Sequence, residues 1–220
     1  MNKGLPSSVR DLLAADGGLA ADLINRDCAC ISVDHELLKQ ALEKGEGTMS
    51  HAEVLTTRPH LFSNSVVFVS EANLARMARM IAVLERVVRL PAYRERVLAY
   101  APPVARHSPG AAGVFLGYDF HLGPEGPQLI EINSNAGGAL LNARLLRAQR
   151  ACCAPVASMM PVPTPVDEAL VAMFRKEWHL ARSDAALRPL ARIVIVDQQP
   201  ATQYLAPEFE LFRQLFEANG

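Results

Sequence analysis

The segment VFLGYDFHLGPEGPQLIEINSNAGG, residues 114–138, decides how the rest of the chain is read. Leu116, Tyr118, Phe120 and Leu122 alternate with Gly117, Asp119 and His121, the period-2 pattern of a strand with one buried face. Gly123-Pro124-Glu125-Gly126-Pro127 is a turn-rich connection, and QLIEIN follows it with Ile130 and Ile132 out of phase with Leu129, Glu131 and Asn133. Two such strands around such a loop predict an antiparallel hairpin. If Leu122 faces Gln128, then His121 faces Leu129, Phe120 faces Ile130 and Asp119 faces Glu131. One face is then Leu116, Tyr118, Phe120, Leu122, Ile130 and Ile132, and the other Gly117, Asp119, His121, Leu129, Glu131 and Asn133. Carboxylates directly opposite each other repel, at a cost of a few tenths to about 1 kcal/mol. Asp119, Glu131 and the Asn133 carbonyl are hard oxygen donors of the kind that suits Mg²⁺ or Ca²⁺. Two readings stay open from the residues alone: a cation cradle, or a solvated polar face relieved by nearby Arg or Lys.

The residues straight after the hairpin are Ser134-Asn135-Ala136-Gly137-Gly138, leading into the amphipathic run ALLNARLLRAQRACC. A glycine turn feeding a helix N-terminus offers unpaired N–H groups and the positive end of the helix dipole, which suits an anion. Ser134, Asn135, Gly137 and Gly138 are therefore candidate phosphate- or substrate-binding residues. A divalent metal near such a turn is the combination that a nucleoside triphosphate or a phosphorylated intermediate requires.

The whole chain sets the limits on that reading. Its 220 residues allow one domain or two small ones, and 50% hydrophobic content is ample for a core. A net charge of −1, scattered basic residues and 6% aromatics argue against a nucleic-acid partner. No signal-peptide core and no run of membrane-spanning length is present in the sequence, so no membrane partner and a cytoplasmic location are expected. Cys28, Cys30, Cys152 and Cys153 form a C-x-C and a C-C pair, neither with zinc-site spacing, and are expected to be reduced thiols. His35, His51 and His60 are too dispersed to propose a metal centre.

Along the chain, Ser7 or Ser8 predicts a short helix to Leu13, stopped by Gly17-Gly18. Asp34 predicts another that carries Leu37, Leu38 and Leu42 and closes at Gly45. Residues 56–65 read as loop and Ser65–Val69 as a short strand. Ser70 then caps a long helix whose stripe is Leu74, Met77, Ile81, Leu84 and Val88, ending before Pro91; Arg76, Arg79, Arg86 and Arg89 lie mostly off that stripe. A shorter helix from Ala92 to about Tyr100 follows, and residues 155–168 read as a proline-rich extended connection. A helix over about Val166–Ala181 carries Trp178 as a packing residue. Arg192–Asp197 reads as a buried strand, followed by a helix with Phe209, Leu211, Phe212, Leu215 and Phe216. A β-branched strand and a helix are the first half of a parallel β-α-β unit. The expectation is a longer protein with a missing C-terminal region, or a sheet completed by a partner chain.

The combination GYDFHLGPEGPQLIEINSNAGGAL resembles the metal-binding segment of ATP-grasp ligases, in their circularly permuted, glutathionylspermidine-synthase-like branch. Tyr118-Asp119-Phe120 and Leu129-Ile130-Glu131-Ile132-Asn133 stand where that family carries its Asp-Phe strand and its Leu-(Leu/Ile)-Glu-x-Asn strand. The resemblance implies that Asp119, Glu131 and Asn133 hold the Mg²⁺ that bridges ATP phosphates. It also implies a ligase that activates a small-molecule carboxylate as an acyl phosphate and passes it to an amine or thiol acceptor. It departs from the family at Gly117, where an arginine is usual, and in the loop SNAGGAL. The implied fold is α+β: a helical and hairpin domain over residues 1–185, then the start of an α/β, pre-ATP-grasp-like domain over 186–220. The alternative is a non-catalytic, degenerate ATP-grasp-like module that binds a metabolite or a partner.

Overall fold

The computed structural model describes residues 21–22, 24–26, 31–43, 50–63, 66–151, 157, 165–182, 184 and 188–220. The helix expected after Ser7 or Ser8, all four cysteines and most of the proline-rich connection lie outside them. Among the described residues the fold is α+β, with helices dominant and two small antiparallel sheets. It divides into two compact units, residues 1–29, 66–108 and 117–133 in the first, and 30–65, 109–116 and 134–220 in the second. The division does not follow the expected boundary at 185/186, because the last helix shares the core of the helices before it.

In the second unit, strand β1 (Ile31–Val33) is followed by helix α1 (His35–Leu42). Asp34 caps α1, its Oδ1 accepting from the amides of Glu36 (3.1 Å) and Leu37 (3.0 Å). Helix α2 (His51–Thr57) forms within what reads partly as loop, capped by Ser50. Helix α5 (Ala139–Ala148) stops earlier than its sequence suggests: Gln149 turns extended, and β4 (Gln149–Ala151) pairs antiparallel with β1. The β1 ladder competes with three more residues of helix, and wins. Helices α6 (Val166–Ala181) and α7 (Ala206–Glu217) complete the unit.

Its core is built from Leu38 and Leu42 of α1, Leu140, Leu141 and Ala148 of α5, Leu170 and Val171 of α6, and Leu211, Phe212 and Leu215 of α7. Each fully buried leucine contributes about 1.5–3 kcal/mol by leaving water. Phe115, Phe174, Phe212 and Phe216 extend the core as an aromatic cluster with centroids 4.9 to 6.0 Å apart, Phe174 meeting its three neighbours edge-to-face and Phe212 stacking on Phe216. Arg144 of α5 forks onto Asp167 of α6 with N–O distances of 3.0 and 3.2 Å.

The expected strand Arg192–Asp197 does not form. Among the described residues no strand pairs with it, so its β-branched residues form no ladder, and Val194 and Val196 are 69% and 84% exposed. Ile193, Val194 and Ile195 line a groove of about 660 Å³ with Phe174 of α6 and Phe209 and Phe216 of α7.

The first unit holds α3 (Glu71–Arg89), capped by Ser70, α4 (Pro91–Leu98), and a hairpin of β2 (Gly117–Gly123) and β3 (Gly126–Asn133). Of the stripe expected to be core, Met77, Ile81 and Leu84 are half-buried, while Leu74 and Val88 are about half exposed. The expected strand at 65–69 is absent over its described residues 66–69, for a local reason. Both backbone groups of Phe68 are taken by the Asn25 side chain (N–H to Oδ1 2.7 Å, Nδ2 to carbonyl 2.8 Å), which leaves them no strand partner. No helix of the described residues is long and apolar enough to cross a membrane.

Candidate functional site

The hairpin turns more tightly than its composition suggests. Gly123 pairs with Gly126 across Pro124-Glu125, so the connection has two residues, and Gly126 takes φ +95° to close it. Proline presets the backbone for the first turn position, and glycine takes the left-handed residue that follows. A side chain at 126 would also collide with the Arg76 guanidinium, whose Nη2 donates to the Glu125 carbonyl at 2.9 Å.

The tight turn shifts the upper register by one residue. Leu122 meets Pro127, His121 meets Gln128 and Phe120 meets Leu129. The ladder then slips between Asp119 and Phe120, Ile130 is left over as a bulge, and Asp119 meets Glu131, Tyr118 meets Ile132 and Gly117 meets Asn133. The faces expected from simple alternation therefore need one correction. Leu129 joins Tyr118, Phe120 and Ile132 and is half-buried, Ile130 is expelled to 62% exposure, and Gln128 takes the place beside His121. On the bulged strand Leu129 and Ile130 are both apolar, so composition carries no sign of the slip. The opposed carboxylates fall below the bulge and keep the expected pairing.

Asp119 and Glu131 are thus neighbours on one exposed face of the hairpin. Asn133, half-buried and one repeat along, approaches Asp119 with Nδ2 to Oδ2 at 3.4 Å. Among the described residues neither carboxylate has a salt bridge. No cluster of three His, Cys, Asp or Glu side chains with metal-binding geometry occurs among the described residues. Any cation held here would rest on two carboxylates and an amide oxygen, a hard donor set of few protein ligands, as Mg²⁺ accepts when water or phosphate fills its remaining positions. Gly117, opposite Asn133, contributes no side chain.

The Ser134–Gly138 turn lies in the second unit. Ser134 and Asn135 are exposed, and the Ala136 amide donates to the Phe115 carbonyl. Gly138 takes φ +95° and caps α5, and its amide is not free for an external anion. It donates to Glu208 Oε2, while the Leu140 amide donates to Glu208 Oε1 at 2.8 Å. Glu208 is only 3% exposed, so the turn meets its anion from within the fold. Gly137 serves the same packing, since a Cβ there would strike the Leu205 side chain. Gly138 is therefore corrected from a phosphate-binding residue to a helix terminus closed by an internal carboxylate.

Glu208 escapes a reading that looks for motifs, yet its position carries a signal. Glu208, Leu211, Phe212 and Leu215 fall at i, i+3, i+4 and i+7, so the carboxylate sits on the buried stripe of α7. A lone acid on an apolar stripe needs donors, and two orphan amides at the start of α5 supply them. No family model, no curated protein and no solved structure matches this chain.

Proposed function

We propose that this chain is the Mg²⁺-binding part of an ATP-grasp-type ligase, with Asp119, Glu131 and Asn133 as the metal ligands. The observation that carries the reading is the pairing of Asp119 against Glu131 with no salt bridge to either among the described residues. The repulsion is useful if an ion is to be held, because binding then removes a cost that the apo hairpin bears. In the hairpin the Asn133 NH₂ donates to Asp119 Oδ2, so its amide turns over to offer the carbonyl oxygen when the ion binds. Mg²⁺, when bound with ATP, neutralises phosphate charge while a carboxylate is converted to an acyl phosphate. The protein residues do the remaining work: the ladder fixes the spacing of the carboxylates, and the bulge at Ile130 sets their offset from the tight turn. The substrate class implied is a small-molecule carboxylate with an amine or thiol acceptor.

A second reading, a non-catalytic relative that binds metal or metabolite without turnover, is favoured by Glu208. It fills the turn amides that a phosphate would use, and Gly117 stands where the resemblance expects an arginine. Isothermal titration with MgCl₂ and then with Mg·ATP tests both. The first reading expects both titrations to give heat, and Asp119→Asn with Glu131→Gln to abolish both. Mg²⁺ binding without Mg·ATP binding supports the second reading. Titrations unchanged by the double substitution refute both.

A further inference from the structure

Helix α3 carries a second stripe whose residues are all exposed. Arg79, Val83, Arg86, Val87 and Leu90 recur at i, i+4, i+7, i+8 and i+11, the spacing of a helix contact face. All are exposed, Val83 at 47%, Val87 at 36% and Leu90, at the C-cap, at 53%. Met77, Ile81 and Leu84, by contrast, are half-buried on the other side of the helix. Arg79 and Arg86 have no carboxylate partner among the described residues, and Glu85 is engaged by Arg89 at 3.2 Å. Their helical neighbours at four residues' distance are Ala75, Val83, Ala82 and Leu90, so the helix supplies no acid to either. Arg76–Arg79 and Arg86–Arg89 are instead like-charge pairs three residues apart, which destabilise an isolated helix by a few tenths of a kcal/mol.

The geometry points to an acidic amphipathic helix of another protein as the ligand of this face. Its apolar residues would pack on Val83, Val87 and Leu90, and its Glu or Asp side chains would pair with Arg79 and Arg86. The guanidinium fork suits carboxylates two bonds at a time. The stripe from residue 79 to 90 covers roughly 16 Å of helix, about three turns of a partner. Two other anionic surfaces fit less well. Valines are too short to insert into a bilayer, where Leu, Phe and Trp do that work. Nucleic acid calls for cations grouped along a backbone, often with stacking aromatics, rather than cations alternating with valine.

Fluorescence anisotropy with the full chain tests this. The probe is a labelled synthetic helix with Glu and Leu at i, i+3, i+4 and i+7 spacing; the controls are its scrambled isomer, phosphatidylserine vesicles and duplex DNA. The patterned peptide should bind saturably and the scrambled one should not. Arg79→Glu with Arg86→Glu, and separately Val83→Ser with Val87→Ser, should each weaken binding about tenfold or more, and added salt should weaken it further. Arg79→Gln with Arg86→Gln replaces the charge reversal if circular dichroism shows lost helix. The proposal is overturned if the patterned peptide does not bind, if neither variant pair weakens it, or if vesicles or DNA bind more tightly.

Discussion

At the scale of single residues, the argument turns on two carboxyl groups in opposite circumstances. Asp119 is exposed and set against Glu131, so removing its charge should relieve repulsion. Asp119→Asn is expected to raise apo stability by a few tenths to about 1 kcal/mol, and to lose any rise in melting temperature on adding Mg²⁺. Differential scanning fluorimetry with and without Mg²⁺ reads both effects, which run in opposite directions. Glu208 is buried and satisfied by two amides, so Glu208→Gln places an NH₂ where an acceptor is needed. The expected cost is about 1–3 kcal/mol in a urea melt, and Glu208→Ala should cost at least as much. Asp119 was legible in the sequence because a polar residue in period-2 register declares its face. Glu208 was not, because its partners are backbone amides distant in the chain, and amides leave no trace in a side-chain pattern.

At the scale of elements, local signals succeeded where one element decides its own structure and failed where a partner decides. Asp34 and Ser70 cap helices as their spacing implies, and Pro91 opens the next helix. The hairpin was recoverable from alternation, but the bulge at Ile130 was not, because Leu129 and Ile130 are equally apolar and the turn geometry chose between them. Arg192–Asp197 has strong β propensity, yet propensity describes fitness for a pleated neighbour, and none is described here. The α5–α6 contact gives a pH prediction. Partial burial pushes the Asp167 carboxyl up, but the hydrogen bonds and charge of Arg144, with Arg147 behind, outweigh it and hold it below the ordinary value of 3.8. A carboxyl lowered on folding contributes stability above its unfolded value and loses it as pH falls through the folded one. Denaturant melts should therefore show an acid-side loss below pH 3.8 that Asp167→Asn removes. A slope unchanged by that substitution would assign the loss to other groups.

At the scale of the whole molecule, two stretches of exposed apolar surface differ in kind. Val194 and Val196 belong to a segment that pairs with no strand among the described residues, a template for strand pairing. Val194→Lys with Val196→Glu should change monomer stability by no more than about 0.5 kcal/mol and should reduce self-association in light scattering. The α3 stripe is helical, with its backbone bonds already made, and offers only side chains. The ATP-grasp resemblance rests on the hairpin alone, and the turn after it is occupied by Glu208. The metal therefore carries the functional claim. Mn²⁺ substituting for Mg²⁺ gives the most direct measurement, through paramagnetic broadening of backbone amide signals in the full chain. The account predicts broadening centred on residues 118–120 and 131–133, reversed by excess Mg²⁺ and absent in Asp119→Asn with Glu131→Gln. Broadening centred elsewhere, or unchanged by the double substitution, would contradict it.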